Sequence, residues 1–576
     1  MSAAPSELAL RSRGGRLALP AAAPAFACCA GLVGLLGLES GGYYATAWSV
    51  ATVAALVAGS IATVRARGTS SGRFDRALLG ALAAFAAWVA VEALRPGGAT
   101  RGLPELERDV LYLAVVWAAL QLVRRRTAAA ALAGVLAAIC ALLLDGLVRL
   151  LVPAHIGADA FEGRLLFLPL GYANACGVLA AIGFVLALGF AAARTGRGGL
   201  AAAALVPLAV ALALTQSRGA VVALAIGVVV TVLLHPHRQT LGGAALVLLP
   251  LPALAAAFAG RSHVADARTS SSAVARDCLV VAAATCVAML VQAAIAARGR
   301  RPALPVRVLA PLGVAAVTVA VAAVLLGAGD RTAYWRVAWQ DARAHPLLGS
   351  GPGTFAREWL AHRPVATGAV NAHNLYLETL AELGPLGLLL LVAVLAVPLA
   401  AVRNRPSPLA AIAAGGYATF LVHAGLDWDW QMPAVTAAGL LCGVCALRAG
   451  AARPARRAGH ALPLVLAAVV ALGAAAAGVG NDAVAAAARS AQSGAWADAV
   501  RAARIAQRWQ PWSAEPPRLL AELALAQGND VRARELLAQA LRRDPNDAAA
   551  WTDLLRAGAP AQRREALARL AVLESR

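Results

Sequence analysis

Arg331-Thr-Ala-Tyr-Trp335, His345-Pro-Leu-Leu-Gly-Ser-Gly-Pro-Gly353-Thr-Phe355 and Ala372-His373-Asn374-Leu-Tyr376-Leu-Glu378 form one polar island, from about Gly329 to Gly384, set between long apolar runs. What flanks the island decides the fold. Runs of about 17–25 apolar residues are long enough to cross a hydrocarbon core of roughly 30 Å as helices, and about fifteen can be drawn here. They lie near 17–38, 43–64, 77–94, 108–123, 127–151, 172–193, 199–215, 219–235, 240–259, 277–297, 306–327, 385–402, 408–425, 431–448 and 460–478. The reading is therefore all-α: a polytopic helical membrane protein of about 12–15 transmembrane helices, followed by a polar helical tail.

Composition agrees. With 60% hydrophobic and 14% charged residues and a mean hydropathy of +0.69, the chain has the make-up of an integral membrane protein. Residues 1–16 read as a cytoplasmic N-terminal segment. Residues 17–478 form the membrane domain, with a large extracytoplasmic loop at 328–384, and 479–576 form an extracytoplasmic helical domain. The first run follows Arg11, Arg13 and Arg16, so a cleaved signal peptide is one reading; a retained helix is preferred, because no cleavage site stands out.

The net charge of +21 does not point to nucleic acid. The chain has no lysine, and its arginines gather in alternate connections: Arg65–Arg76, Arg124–Arg126, Arg194 and Arg197, Arg238, Arg298–Arg307, Arg403 and Arg405, Arg448–Arg457. The positive-inside rule makes these cytoplasmic. The N-terminus is then inside, and the island and the C-terminus are outside. All eight cysteines fall in apolar runs; Cys442-Gly-Val-Cys445 has redox-motif spacing but reads as a pair of small packing residues in a helix.

The tail is periodic. Gly494 and Gly528, Ala499 and Ala533, Ala506 and Ala540, and Pro511 and Pro545 each stand 34 residues apart. That period resembles tetratricopeptide helical hairpins; a plain amphipathic bundle is the other reading. Either is a small α-helical module suited to binding a protein or glycan, or to assembly.

Four polar clusters fall on the predicted outer side: Tyr172-Ala-Asn174, Gln216-Ser-Arg218-Gly219, the island, and His423 with Asp427-Trp-Asp429-Trp-Gln431. Loop ends are commonly polar, which accounts for many of these residues singly. Their combination beside a bilayer is better explained by a shared cavity, where polar groups are paired or face water.

These residues resemble a known family. Ser217-Arg218-Gly219, Arg331 before Tyr334-Trp335, the His345–Phe355 run, His373-Asn374-Leu-Tyr376-Leu-Glu378, Ala381-Glu-Leu-Gly384-Pro-Leu-Gly387 and Asp427–Pro433 together are similar to the O-antigen ligase and polymerase superfamily of bacterial membrane glycosyltransferases, over roughly 170–435. The first five runs match in hydropathy alone. The resemblance implies transfer of a glycan from a polyprenyl diphosphate carrier to an acceptor hydroxyl, at the outer face of the bacterial cytoplasmic membrane, in cell-surface polysaccharide synthesis.

It also implies roles. A departing lipid diphosphate needs fixed cations, and arginine offers a permanently charged planar fork for phosphate oxygens. By similarity Arg218 and Arg331 supply that charge. Arg218 also stands at the start of a helix, where the dipole favours an anion, although an interfacial arginine can equally snorkel to headgroups. His373 is the candidate general base; His345 and the glycines that follow it read as a turn. Asn174, Gln216, Tyr334, Trp335, Asn374, Tyr376 and Asp427 are candidate substrate-binding residues. Trp335, Trp339, Trp428 and Trp430 either stack on sugar rings or anchor at the interface. Glu378 and Glu382 fit a favourable helix start. Asp427 and Asp429 read as residues that hold an arginine or orient the acceptor, and they are too sparse for a metal site, so no metal and no cofactor is expected beyond the polyprenyl-diphosphate glycan as donor substrate. Expected partners are membrane lipid, that donor, a glycan, lipid or protein acceptor, and a protein bound by the tail. Competing readings are a transporter or flippase of lipid-linked saccharide, a protein O-oligosaccharyltransferase, and a scaffold whose tail is the main function.

Overall fold

The computed structural model describes residues 19–66, 69–70, 72–152, 158–193, 198–266, 271–298, 302–325, 331–365, 367–404, 407–450 and 457–575; the segment 1–16 lies outside them. Every apolar run is helical over its described residues. The first eight are α1 (Leu19–Leu38), α2 (Thr46–Arg65), α3 (Arg73–Ala93), α4 (Ala99–Leu122), α5 (Ala128–Leu151), α6 (Ala173–Ala192), α7 (Gly198–Thr215) and α8 (Arg218–Leu234). The 240–259 run is two helices, α9 (Arg238–Leu248) and α10 (Pro250–Arg261), bent by 43° where Pro250 and Pro252 remove backbone donors. Then come α11 (Ser271–Arg298) and α12 (Val306–Leu325). The island holds α13 (Arg331–Ala344) and α14 (Phe355–His362), and the bundle closes with α15 (Leu375–Asn404), α16 (Pro408–Ala424), α17 (Pro433–Ala449) and α18 (Ala461–Gln492).

Among the described residues, eight helices are by themselves long and apolar enough to cross a membrane, nine with the bent pair, and four more are shorter apolar helices. The chain is a multi-pass membrane protein. Its buried axis is α6, apolar all round and packed against α5, α7, α8 and α16. Helices α8 and α16 approach so closely that a side chain at Gly227 would strike Thr419, and one at Gly415 would strike Thr231. Small residues at such crossings let packing and polar contacts hold helices together in lipid, where hydrophobic exclusion cannot.

Contacts between distant segments fix which ends share a face. On one face, β1 (Thr69–Ser70) pairs antiparallel with β2 (Arg457–Ala458). Near it, Arg448 donates to Asp75 at 2.9 Å and to the Leu120 carbonyl at 2.6 Å, tying α17 to α3 and α4. The island lies at the opposite face. There Trp88 donates to the Leu383 carbonyl and Arg95 to the Gly349 carbonyl, so α3 supports it. In α15 the chain breaks at Gly384 (φ 68°, ψ −174°), directly before Pro385. The segment before the break belongs to the island and the segment after it enters the bundle.

The boundary expected at 478/479 lies inside a continuous helix, because α18 carries the chain out of the bundle into the tail. The tail continues as α19 (Trp496–Trp509), α20 (Glu515–Ala526), α21 (Asp530–Arg543), α22 (Ala548–Ala557) and α23 (Pro560–Ser575). Ala499, Ala506, Ala533 and Ala540, the alanines of the 34-residue period, are fully buried where these helices cross. The tail rests on the island face. Gln510 donates to Asn481 and Asn481 to Glu107, Arg101 pairs with Asp544 at 2.9 Å, and α23 packs on α14.

Candidate active site

Asp427 is the hub of the island face. It is 1% exposed and stands in the turn between α16 and α17. Arg331, the first residue of α13, donates to its Oδ2 at 2.5 Å, and Asn174 donates to the same oxygen at 2.8 Å. Tyr172 Oη and the Trp428 backbone N–H both donate to Oδ1 at 2.8 Å. A carboxylate has about four acceptor positions, and four donors occupy them. Asp427 is thus spent on protein groups: it fixes the arginine and leaves little for a ligand. Arg331 remains 23% exposed, so the rest of its fork can receive an anion.

His373 sits in the turn before α15 with φ +55°, a left-handed conformation uncommon for a residue with a side chain. Its ring stacks on Tyr334, with centroids 4.8 Å apart, and Tyr334 in turn meets Trp359 edge to face. Nδ1 lies 3.1 Å from the Asn371 carbonyl oxygen. A carbonyl only accepts, so Nδ1 carries the hydrogen and Nε2 presents a lone pair. Burial pushes the His373 pKa below its ordinary value; the Asp427 charge opposes this and the Arg331 charge adds to it.

Two glutamates hold the loops that carry these groups. Glu378 is 3% exposed; it accepts the Ala372 N–H at 2.5 Å and the Gln431 side chain at 3.2 Å. Glu382 accepts the Gly353 and Phe355 N–H groups at 2.9 and 2.8 Å. The sequence read both as helix-start residues, and their clamping role was missed. Gly349 has φ +75°, and an added Cβ there would collide with the Glu382 backbone, so the turn needs glycine. His345 anchors that turn through Asp341 at 2.8 Å.

Arg218 begins α8 on the same face. It is exposed and makes no ion pair among the described residues. Ser217 caps the helix by accepting the Ala220 N–H. A Cβ on Gly219 would lie 3.2 Å from Nε2 of His423, a fully buried ring paired with Asp429 at 3.0 Å. The Ser-Arg-Gly step is therefore seated against the turn that holds Asp427.

The other candidates divide. Asn174, Tyr334, Arg331, His373 and Asp427 converge. Gln216 is exposed beside Arg218, with φ +53°. Trp335 has a buried Nε1 with no acceptor among the described residues. Asn374 caps α15 through the Leu377 N–H at 3.0 Å, and Tyr376 donates to the Leu421 carbonyl at 2.8 Å; both are committed to packing. Trp428 meets Tyr172 in a tilted contact as a wall beside Asp427, Trp430 lies under the Arg108 guanidinium, and Trp339 is exposed. Tyr172 was legible only as part of a polar cluster. Glu162 carried no signal at all; burial pushes its carboxyl up to about 7, against a bond from the Ala173 N–H, and the charges of Asp159 and then Asp427 add to the rise.

Residues 201–392 match the family model described as O-Antigen ligase, and residues 490–557 match the Tetratricopeptide repeat model. No match is found among curated proteins. Arg218, Arg331 and His373 lie inside the first match, whereas Asn174 and Asp427 lie outside it. Part of the membrane region is thus similar to the O-antigen ligase family, and part of the tail to the tetratricopeptide repeat.

Proposed function

We propose that this protein transfers a glycan from a polyprenyl diphosphate donor to an acceptor hydroxyl at the outer face of the bacterial cytoplasmic membrane. The observation that carries the reading is the convergence of a half-buried, carboxylate-fixed Arg331 and a ring-stacked His373 at one end of a membrane bundle, with exposed Arg218 on the same face. His373 Nε2 takes the proton of the acceptor hydroxyl as its oxygen attacks the anomeric carbon. The bond from that carbon to the diphosphate oxygen breaks, and the electron pair stays on the diphosphate. Arg331 and Arg218 stabilise the charge that develops there. Asp427, Tyr172 and Asn174 keep Arg331 in place without touching the substrate. The tail, resting on the same face, serves acceptor or partner engagement rather than bond formation.

The test uses purified protein in nanodiscs and a fluorescent polyprenyl-diphosphate oligosaccharide, with wild type compared to His373→Ala, with and without EDTA. Carrier release that survives EDTA and is lost in the variant supports metal-free transfer. A ladder of products means polymerisation and a single shift means ligation. Movement of lipid across liposomes, with no product for any acceptor, would make the protein a transporter instead.

A further inference from the structure

Helices α1 and α2 follow one another in the chain but do not pack along their length. α1 lies on α5, and α2 lies on α4 and α18. The gap between them is a groove of about 460 Å³, floored by Val115, Ala118, Ala119 and Leu122 of α4. Along α1 it runs from Ala27 to Glu39, roughly 18 Å at 1.5 Å per residue. Its walls are apolar and many are small: Gly31, Ala47, Ala51, Ala54 and Ala55. A Cβ added to Gly31 would find nothing within 4 Å.

One end of this groove reaches the site. After Glu39 the chain makes a short 3-10 turn, Ser40–Gly42, pinned by the Trp48 indole donating to the Gly42 carbonyl at 2.7 Å. A Cβ on Gly41 would strike Met432, five residues past Asp427, and one on Gly42 would press on Pro433. Tyr43 then meets Trp428 at 5.5 Å, Trp428 meets Tyr172 in a tilted contact at 4.6 Å, and Tyr172 donates to Asp427. A molecule lying in the groove with its polar end at Arg331 would pass along this aromatic wall.

We propose that the groove between α1 and α2 seats the prenyl chain of the donor, an assignment that rests on the donor chemistry read above. The occupant must be hydrocarbon, because the groove lies within the bundle's membrane-crossing segments and its lining is apolar. An ordinary phospholipid fits less well. Among the described residues, Glu39 is the one charged residue lining the groove, and a phosphate headgroup resting at that end would meet a carboxylate with no cation beside it among those lining residues. A prenyl diphosphate keeps its phosphates away from Glu39, at the arginines beyond the aromatic wall. The groove volume also falls within the range of roughly 300–1,000 Å³ typical of ligand pockets.

The experiment fills the groove. Gly31→Phe and Ala54→Phe, each checked for monodisperse elution and an unchanged melting temperature, are assayed with a full-length polyprenyl donor and with a farnesyl donor too short to occupy the groove. The expected result is a rise of about tenfold or more in KM for the long donor, with the short donor unaffected. A polyprenyl diphosphate probe with a diazirine at the chain end should label peptides from 27–36 or 47–55, and unlabelled donor should suppress that labelling. Unchanged long-donor kinetics in both variants, or labelling confined to other helices, overturns the assignment. Labelling suppressed by excess phospholipid but not by donor assigns the groove to bulk lipid and overturns it too. In these cases Arg331→Ala still abolishing turnover leaves the transferase reading intact. If the wild type neither binds nor turns over any polyprenyl donor, it is the transferase reading that has failed.

Discussion

Arg331 and Asp427 lie 96 residues apart in the chain, and their side chains meet at 2.5 Å. The pair joins the island to the turn between α16 and α17, and it explains why a buried carboxylate is tolerated there. Breaking a buried ion pair by removing one partner costs about 3–5 kcal/mol. Asp427→Ala should therefore lower the melting temperature and abolish turnover together. Asp427→Asn keeps the shape and an acceptor oxygen, so it should fold more nearly normally while losing at least about tenfold in kcat/KM, equivalent to 1.4 kcal/mol. Thermal unfolding and turnover measured on the same preparations separate the two effects.

Arg331→Lys should lose activity by about 10²-fold or more, the scale seen when one charge-stabilising donor is removed from a transition state. A single ammonium cannot both hold Asp427 and present a fork to phosphate. Full activity in the lysine variant would rule out that dual role.

The depressed pKa of His373 has a kinetic signature. The base must be unprotonated to act, so activity is lost only as pH falls through its pKa. Because burial places that pKa below the ordinary value, the acid limb of kcat/KM should lie below about pH 6.5, with a plateau through neutral pH. His373→Ala should cost about 10²–10⁴-fold and remove that limb from the residual rate. A limb above 6.5 in the wild type would contradict a buried neutral histidine.

Glu382 bonds to Gly353 and Phe355, so Glu382→Ala strands one buried and one half-buried backbone donor, the buried one at about 1–3 kcal/mol. The expected outcome is faster hydrogen exchange over residues 349–355 with the transmembrane helices unaffected. Gly349→Ala should mimic it, through a forbidden φ and a collision with the Glu382 backbone.

The tail is held by Arg101 to Asp544 and the Asn546 carbonyl. Arg101→Ala should raise exchange in residues 510–547 and leave single-turnover transfer within about twofold, as expected for a partly exposed pair worth about 1 kcal/mol or less. Reporter fusions after Ser513 and within 331–344 should give the same exterior signal. A cytoplasmic signal from either would overturn the outer-face reading.

Much was legible before any coordinates. Hydrocarbon-length runs located the helices, because a backbone in lipid must satisfy its own hydrogen bonds and the helix does so within one segment. The 34-residue period found the buried alanines of the tail, because the crossing points of helical hairpins admit only small side chains. Arg218, Arg331 and His373 were named through the family resemblance that their local motifs carry; their roles belong to the proposed function.

The tertiary structure decided what those residues are attached to. Asp427 was read as a substrate-binding residue or as one that holds an arginine; its four donors come from Tyr172, Asn174, Arg331 and Trp428, three separate stretches of chain, and the arginine it holds is Arg331. Glu378 stands in the first turn of α15 as a helix-start carboxylate would, but it and Glu382 also clamp loops elsewhere in the chain. Asn374 and Tyr376, beside the histidine in sequence, turn into a cap and a packing bond, because neighbours on a helix point in different directions. The groove between α1 and α2 has no sequence signal either, since a lipid-facing helix and a groove-lining helix are equally apolar. Sequence fixes which segments must be helical through local backbone and solvation energies. The partner of a buried charge is set by which helix ends meet, and that is known only once the bundle is assembled.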